Sequence, residues 1–328
     1  MKVLMLSDIH FGLNLDNPMF YKINLDLFDW IAAICRKEQI NQIYILGDLF
    51  HNRKNLNLLT LNNCYECLNK VDFCDIHILT GNHDCYYLEN SEFHSLDFLK
   101  GWSNIFVYDQ ITYKTIEEKK VGIVPWSGKY FDKELEDCDL LLGHFELIGF
   151  EYGATAVKDG TNTSVFNEIP LILSGHFHKF QDQNRKGQRI VYLGSPYQHD
   201  WGDLGEKYVH ILDFSDMKLS KIKNTVSPKH IKVTKEEDLK KLDSHQFVKV
   251  ILNDVERSVL EEKILLKNPL NLVIERNFNK KIEATIKEFK NVDFTSNIQE
   301  FIESMLIDEP LKNKIVERNK KILKELGL

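Results

Sequence analysis

Five short loops in this chain carry side chains that bind cations or move protons, and each follows an apolar run. They are Ser7-Asp8-Ile9-His10 after Val3–Leu6, Gly47-Asp48-Leu49-Phe50-His51 after Ile43–Leu46, and Gly81-Asn82-His83-Asp84 after Ile76–Leu79; His144 follows Leu140–Gly143, and His176-Phe177-His178 follows Leu171–Gly175. A short apolar run ended by a glycine or a polar pair reads as a buried strand. The next residues then sit at the carboxyl edge of a sheet, where open α/β folds place their chemistry. Singly, each residue has an ordinary explanation: Asp8 as a helix cap, His144 as a hydrogen-bonded core imidazole, Asn82 as a turn former. Coincidence at five separate strand ends is a poor explanation of them together.

The chemistry such a set supports is coordination. Two divalent cations about 3.5–4 Å apart can clamp the attacking and leaving oxygens of a phosphoryl group. The pair needs one carboxylate shared between the ions, and Asp48, from a middle strand, suits that place. His176 and His178, two residues apart, can lean toward different ions. Mixed nitrogen and oxygen donors without thiolate point to manganese, iron or zinc rather than to a soft metal or calcium.

The elements that must position these loops follow from spacing. Phe20, Ile23, Leu27, Ile31 and Ile34 recur at helical intervals over 20–40, and a second helical stretch spans 55–71. The first third therefore reads β-α-β-α-β, with right-handed crossovers and strands buried on both faces. From Ile105 to Val124 short strands follow one another without helices, and Arg189–Leu193 and Tyr208–Phe214 are further strands. The expected fold is α/β: two packed sheets with helices outside, residues 1–222 forming this domain. Past Asn224 the metal-type residues stop. Strands at 245–252 and 270–275 around a helix at 256–266 predict a small α+β capping or DNA-binding domain over 223–278. Residues 279–328 read as helices. Their last segment, from Glu309, sets Leu311, Ile315, Ile322 and Leu326 among six Lys/Arg and two further acids. It reads as a packed amphipathic helix or as a docking helix for a partner.

Composition sets bounds. With 328 residues, 43% hydrophobic and 28% charged, the chain is an ordinary globular sequence. No apolar run reaches the roughly 20 residues of a membrane helix. Val3–Leu6 is cut short by Ser7-Asp8, which makes it too short for a signal peptide and predicts a cytoplasmic location. The six cysteines are expected to be free thiols. Cys64 and Cys67 have zinc-like spacing but lack a second pair, and helical spacing makes them core residues. A protein that held DNA by bulk charge would be basic, whereas the formal net charge here is −7. Bound cations and local patches would have to supply that attraction.

The order Asp-x-His, Gly-Asp, Gly-Asn-His-Asp, lone His, Gly-His-x-His resembles the calcineurin-type metallophosphoesterase superfamily. That resemblance implies a two-sheet sandwich flanked by helices. Asp8, His10, Asp48 and His178 would hold one ion, and Asp48, Asn82, His144 and His176 the other. His83 would protonate the leaving oxygen, oriented by Asp84. Within the superfamily, Gly47-Asp48-Leu49-Phe50-His51, Gly81-Asn82-His83-Asp84 and Gly194-Ser195-Pro196-Tyr197-Gln198 followed by Gly205-Glu206-Lys207 resemble the SbcD nuclease family. His51 matches a histidine near the scissile phosphate. The likeness covers residues 1–214, and the later part matches in layout only. It implies a DNA exonuclease and endonuclease subunit of double-strand-break repair, recombination and replication, with two divalent ions: manganese first, magnesium, iron or zinc as alternatives. Its partner would be an SbcC-type coiled-coil ABC ATPase gripped by the C-terminal helices, around a nuclease homodimer within a heterotetramer. The setting would be a bacterial or phage-infected cytoplasm, and the short tail matches phage versions. Arg53, Lys54, Lys179 and Arg185, with Lys186 and Arg189, lie near the ligand loops and are candidate DNA-backbone contacts. The alternatives are a phosphomonoesterase or cyclic-nucleotide phosphodiesterase of the same fold, or a scaffold that has lost activity. No expected ligand is missing, which argues against the scaffold.

Overall fold

The computed structural model describes residues 1–153, 155–166, 169–185, 187–234, 238, 242, 244–252, 271–276, 313 and 316–318. Strands β1 (Lys2–Leu6), β2 (Gln42–Leu46), β3 (Asp75–Leu79) and β4 (Ile105–Tyr108) lie side by side and parallel. Helices α1 (Pro18–Glu38) and α2 (Leu58–Asn69) form the first two crossovers. Each starts at an asparagine whose side-chain oxygen accepts a free backbone N–H: Asn17 from Met19 at 3.0 Å, Asn57 from Thr60 at 2.9 Å. Such caps satisfy donors that the first helical turn leaves open.

The strand residues alternate between two cores. Leu4, Leu6, Ile43, Ile45, Ile76 and Ile78 face α1 and α2, meeting Phe20, Ile23, Leu27, Phe28, Ile31, Cys64 and Leu68. Val3, Met5, Tyr44, Leu46 and Leu79 point the other way, into the gap between two sheets. Because both faces are buried, the strands read as continuous apolar runs rather than as alternating ones.

The opposing sheet comes from β5 (Thr112–Ile116), β6 (Lys119–Val124) and β7 (Leu140–His144). After a small hairpin, β8 (Glu151–Tyr152) and β9 (Thr155–Ala156), it is completed by β10 (Leu171–Gly175), β11 (Gln181–Arg185) and β12 (Gln188–Tyr192). Its order is β11-β12-β10-β7-β6-β5, parallel except at the two edges. Val121, Ile123, Leu140, Leu142, Leu173 and Val191 close the shared core. The chain then returns to the first sheet: β13 (Tyr208–Asp213) pairs antiparallel with β1, and β14 (Lys218–Lys223) pairs with β13. The expected two-sheet sandwich is present. The layer outside the second sheet differs from expectation. Among the described residues, phenylalanines from loops (Phe131, Phe145, Phe150) and from a single 3-10 turn (Phe166) cover its outer face instead of long helices.

A third, parallel sheet holds β15 (Lys229–Val233), β16 (Gln246–Leu252) and β17 (Asn271–Arg276). It packs directly on the sandwich. The Phe247 ring lies 5.8 Å from Phe20 of α1, and the His230 N–H donates to Gln198 Oε1 at 2.6 Å. β16 and β17 fall where strands are expected, and β15 is additional. The helix expected at 256–266 lies outside the described residues. So do the helical segments from 279 onward, apart from helical positions 313 and 316–318. All six cysteines are free and buried, and no helix among the described residues is long and apolar enough to cross a membrane.

His210 of β13 provides a stability test remote from the loops. It is fully buried, its Nε2–H donates to the Leu193 carbonyl at 3.0 Å, and its Nδ1 has no partner. Burial pulls its pKa down to about 4, against roughly 6.5 in an unfolded chain. Between those values the unfolded chain binds the extra proton, so this group leaves stability unchanged above pH 6.5 and erodes it as pH falls toward 4. His210→Gln is expected to lose about 2 kcal/mol less than the wild type between pH 7 and pH 5, measured by urea unfolding.

Candidate metal centre

The loops after β1 and β2 continue the ladder of the strands they leave. Backbone N–H groups of Asp8, His10 and Phe11 donate to the carbonyls of Gly47, Asp48 and Leu49, and the His51 N–H returns to Phe11. Asp8, His10, Asp48 and His176 all have positive φ, between 53° and 95°. For residues with a β-carbon this conformation costs on the order of 1 kcal/mol each. The surrounding hydrogen bonds impose it and turn the side chains toward one point. Two glycines permit the close approach. A β-carbon on Gly81 would lie 2.2 Å from Asp48 Oδ1, and one on Gly175 would lie 2.0 Å from Ser7 Oγ and 2.1 Å from the Leu46 carbonyl.

The seven residues expected as ligands converge. Asp48 Oδ2 is 3.4 Å from His10 Nε2, while Asp48 Oδ1 is 3.5 Å from His144 Nε2. Asp8 Oδ1 is 4.0 Å from His10 Nε2 and 3.9 Å from His178 Nε2. Asn82 Oδ1 lies 3.0 Å from His144 Nε2 and 2.9 Å from His176 Nδ1. Donor atoms of Asp8, His10 and Asp48 lie within 4.8 Å of one another, and so do those of Asp48, His144 and His176. Asp48 belongs to both sets.

Outer contacts aim the imidazoles. The His144 Nδ1–H donates to the Leu46 carbonyl at 2.8 Å, which frees Nε2 for the centre. Glu146 stands 3.5 Å from His176 Nε2, which leaves Nδ1 facing Asn82. Such partners fix tautomer and orientation in metal sites. The electrostatics suit a cation. Burial raises Asp8 to about 7, helped by the neighbouring Asp48 and opposed by His144. Burial would raise Asp48 too, but His144 and His10 together hold it well below the usual carboxylate range. Burial opposes charge on His144, yet the Asp48 carboxylate overrides it and lifts the imidazole to about 9. Burial keeps His10 at about 4 and draws His176, His178 and His51 down. The neutral imidazoles of His10, His176 and His178 beside buried carboxylates form a donor set that a divalent ion fits, and such an ion would take the place of the proton that Asp48 otherwise holds on His144. His10 Nε2, buried and without a hydrogen-bond partner, is one place where such an ion would supply the missing contact.

The geometry corrects one expectation. Asp84 does not orient the His83 ring. Its carboxylate accepts three backbone N–H groups, from Leu49 (3.3 Å), Phe50 (3.0 Å) and Gly81 (2.9 Å), and ties the second loop to the third. The His83 ring is held instead by its Nδ1–H, which donates to the His51 carbonyl at 2.7 Å, while its backbone N–H donates to Asp48 Oδ1 at 2.7 Å. His51 is half-buried, with Nδ1 3.3 Å from His10 Nδ1 and its ring stacked 5.4 Å from that of His83.

Several cations expected to face DNA are occupied within the chain. The Arg185 guanidinium donates to the carbonyls of Ile148 and Gly149 and to Gln183, and Arg189 pairs with Asp182. Lys179 pairs with Glu151. Arg53 Nε donates to the Asn82 carbonyl at 3.0 Å, and Lys54 lies over the Tyr86 ring. Lys186 is outside the described residues. Spacing did not reveal Glu146, His199 or Trp126, whose ring stacks 5.4 Å from His176. His199 follows Gln198 in a loop after β12, so extending the strand-end rule by one loop would have found it.

A cleft of about 340 Å³ opens onto this centre, lined by Asp48, Asn82, His83, Glu146, His176 and His178 among others. The profile of the calcineurin-like phosphoesterase family matches residues 1–180, more than half of the chain. The chain belongs to that family. Similar phosphoesterases include putative phosphoesterase 244L of Invertebrate iridescent virus 6, 28% identical over 66% of this chain and 77% of that protein. Exonuclease subunit 1 of Enterobacteria phage T4 is 26% identical over 62% of this chain and 61% of its own length. The SbcD component of the SbcCD nuclease of Escherichia coli (strain K12) is 22% identical over 70% of this chain and 68% of its own. This phosphoesterase thus spans about three fifths of the phage T4 protein.

Glu146 tests how far aiming matters. Glu146→Gln is expected to leave the fold intact and to weaken divalent-cation binding at the Asp48, His144 and His176 cluster by about 10–100-fold. Isothermal titration of the chelator-stripped protein checks both number and affinity.

Proposed function

We propose that this phosphoesterase is a metal-dependent DNA nuclease subunit that hydrolyses phosphodiester bonds. The observation that carries the reading is the buried Asp48 carboxylate, common to two ligand clusters at the floor of an open cleft. Asp8, His10, Asp48 and His178 would hold one divalent ion, and Asp48, Asn82, His144 and His176 the other. When bound, the two ions, manganese first, supply phosphate charge neutralisation and water activation. The chain's own residues do the rest. The Asn82 and Asp48 contacts fix the spacing of the two clusters. His83, anchored through Nδ1 to the His51 carbonyl, presents Nε2 to the leaving oxygen and donates the proton. His51 flanks the scissile phosphate.

Linear duplex DNA with manganese tests this. His83→Ala is expected to lower cleavage by about 10²–10⁴-fold with metal stoichiometry unchanged, and Asp48→Asn to abolish cleavage together with binding at both sites. Undiminished DNA cleavage by His83→Ala would refute the role given to His83, and hydrolysis of small phosphodiesters by a wild type that leaves DNA intact would instead favour a small-molecule phosphodiesterase.

The relatives named as subunits of an exonuclease and of a nuclease support an assembly partner. We assign residues 1–222 to the nuclease domain, 223–278 to a capping and DNA-binding domain, and 279–328 to the surface for a coiled-coil ABC ATPase of the SbcC type. The proposed assembly is a heterotetramer around a nuclease homodimer, in the cytoplasm. Deleting 309–328 is expected to abolish co-purification with such an ATPase while sparing folding, and retention of the partner would refute the assignment.

A further inference from the structure

The two ligand sets leave unexplained one imidazole that touches them. His199, in the loop after β12, is 2% exposed, and neither of its ring nitrogens has a hydrogen-bond partner. A neutral imidazole offers one donor and one acceptor, and buried side chains rarely leave both unused. Its ring centroid is 4.5 Å from that of His178 and 5.0 Å from that of His10. Nitrogens of His10, His178 and His199 lie within 4.8 Å of one another. His10 Nε2 also lacks a hydrogen-bond partner.

The loop is built to hold this ring in place. The His199 backbone N–H donates to Asp203 Oδ2 at 3.2 Å. Asp203 also accepts the Ser195 hydroxyl at 3.0 Å and pairs with the buried Lys207 ammonium. Lys207 in turn donates to the carbonyl of His178 at 2.8 Å. One buried ion pair therefore fixes the backbone of both His178 and His199. On the other side, the Tyr197 hydroxyl donates to the carbonyl of Ile9, between Asp8 and His10, at 2.8 Å. A ring needed only for filling the core would be better served by an apolar side chain here, since imidazole buries two polar atoms without partners.

We propose that His199 is an additional ligand of the cation assigned to Asp8, His10, Asp48 and His178, giving that site three imidazoles where its neighbour has two. The assignment rests on the metal-centre reading above. Its consequence is selectivity. Imidazole suits manganese, iron and zinc, whereas magnesium favours oxygen and water. The extra ring biases this site toward the transition metals.

The full-length chain is stripped with chelator and titrated with manganese and, separately, magnesium, by calorimetry and by melting temperature. The wild type is expected to bind two manganese ions. His199→Ala is expected to lose about 10–100-fold in manganese affinity at one site, with magnesium affinity changed less than threefold. The metal-free melting temperature should stay level while the rise on adding manganese shrinks. With cobalt as a probe, the visible absorption of that site should lose intensity or shift. His199→Gln, which keeps a polar side chain in the loop, provides the same comparison if alanine loosens the packing. A folded variant with unaltered manganese affinity and cobalt spectrum overturns the assignment while the two-ion centre stands. A wild type that binds fewer than two ions overturns the centre itself.

Discussion

The structure depends on one buried charge. Asp48 lies at the end of β2 with its two oxygens turned toward different histidines, His10 on one side and His144 on the other. His10 arrives from β1 and His144 from β7, so a single carboxylate spans the two sheets of the sandwich. Burying such a charge without partners is costly. Here the partners come from three other loops: the rings of His10 and His144 and the backbone N–H of His83.

The convergence is visible in the local geometry. Four of the inward-facing residues are held in the left-handed region, and two glycines remove β-carbons where backbone and side chain nearly touch. The Asp84 carboxylate braces the second and third loops through three N–H groups, although the sequence suggests a more direct role in proton transfer. Its position directly after His83 made an orienting role attractive. Adjacent residues in a tight turn point in different directions, and the carbonyl that anchors His83 belongs to His51, 32 positions earlier.

The third sheet bears on the same centre from outside. Gln198 links it to the loop that carries Tyr197 and His199, and Tyr197 reaches the backbone between Asp8 and His10. The third sheet is thus joined by a short covalent and hydrogen-bonded route to the Asp8 and His10 loop. The loop after β12 carries that connection, and the buried Lys207–Asp203 pair holds it through the His199 N–H and the His178 carbonyl.

Much was legible in the chain alone. Buried parallel strands write themselves as apolar runs, helices as spaced apolar positions, and a metal site at strand ends as polar residues immediately afterwards. These are local patterns, so β1, β2, β3, β7, β10 and the seven side chains that converge at the sheet edge could be named without coordinates. Tertiary structure decided what depends on through-space pairing. Arg185 looks like a free cation in sequence, yet folding turns its guanidinium onto the carbonyls of Ile148 and Gly149. Glu146 acquires its place only because β7 and β10 are neighbours, which brings it beside His176. The strand-end rule, extended by one loop, names His199 as a candidate, but the packing of its loop against the loop after β1 is what makes it a neighbour of His10. Sequence determines which groups are available at the sheet edge, whereas the fold determines which of them share a point in space.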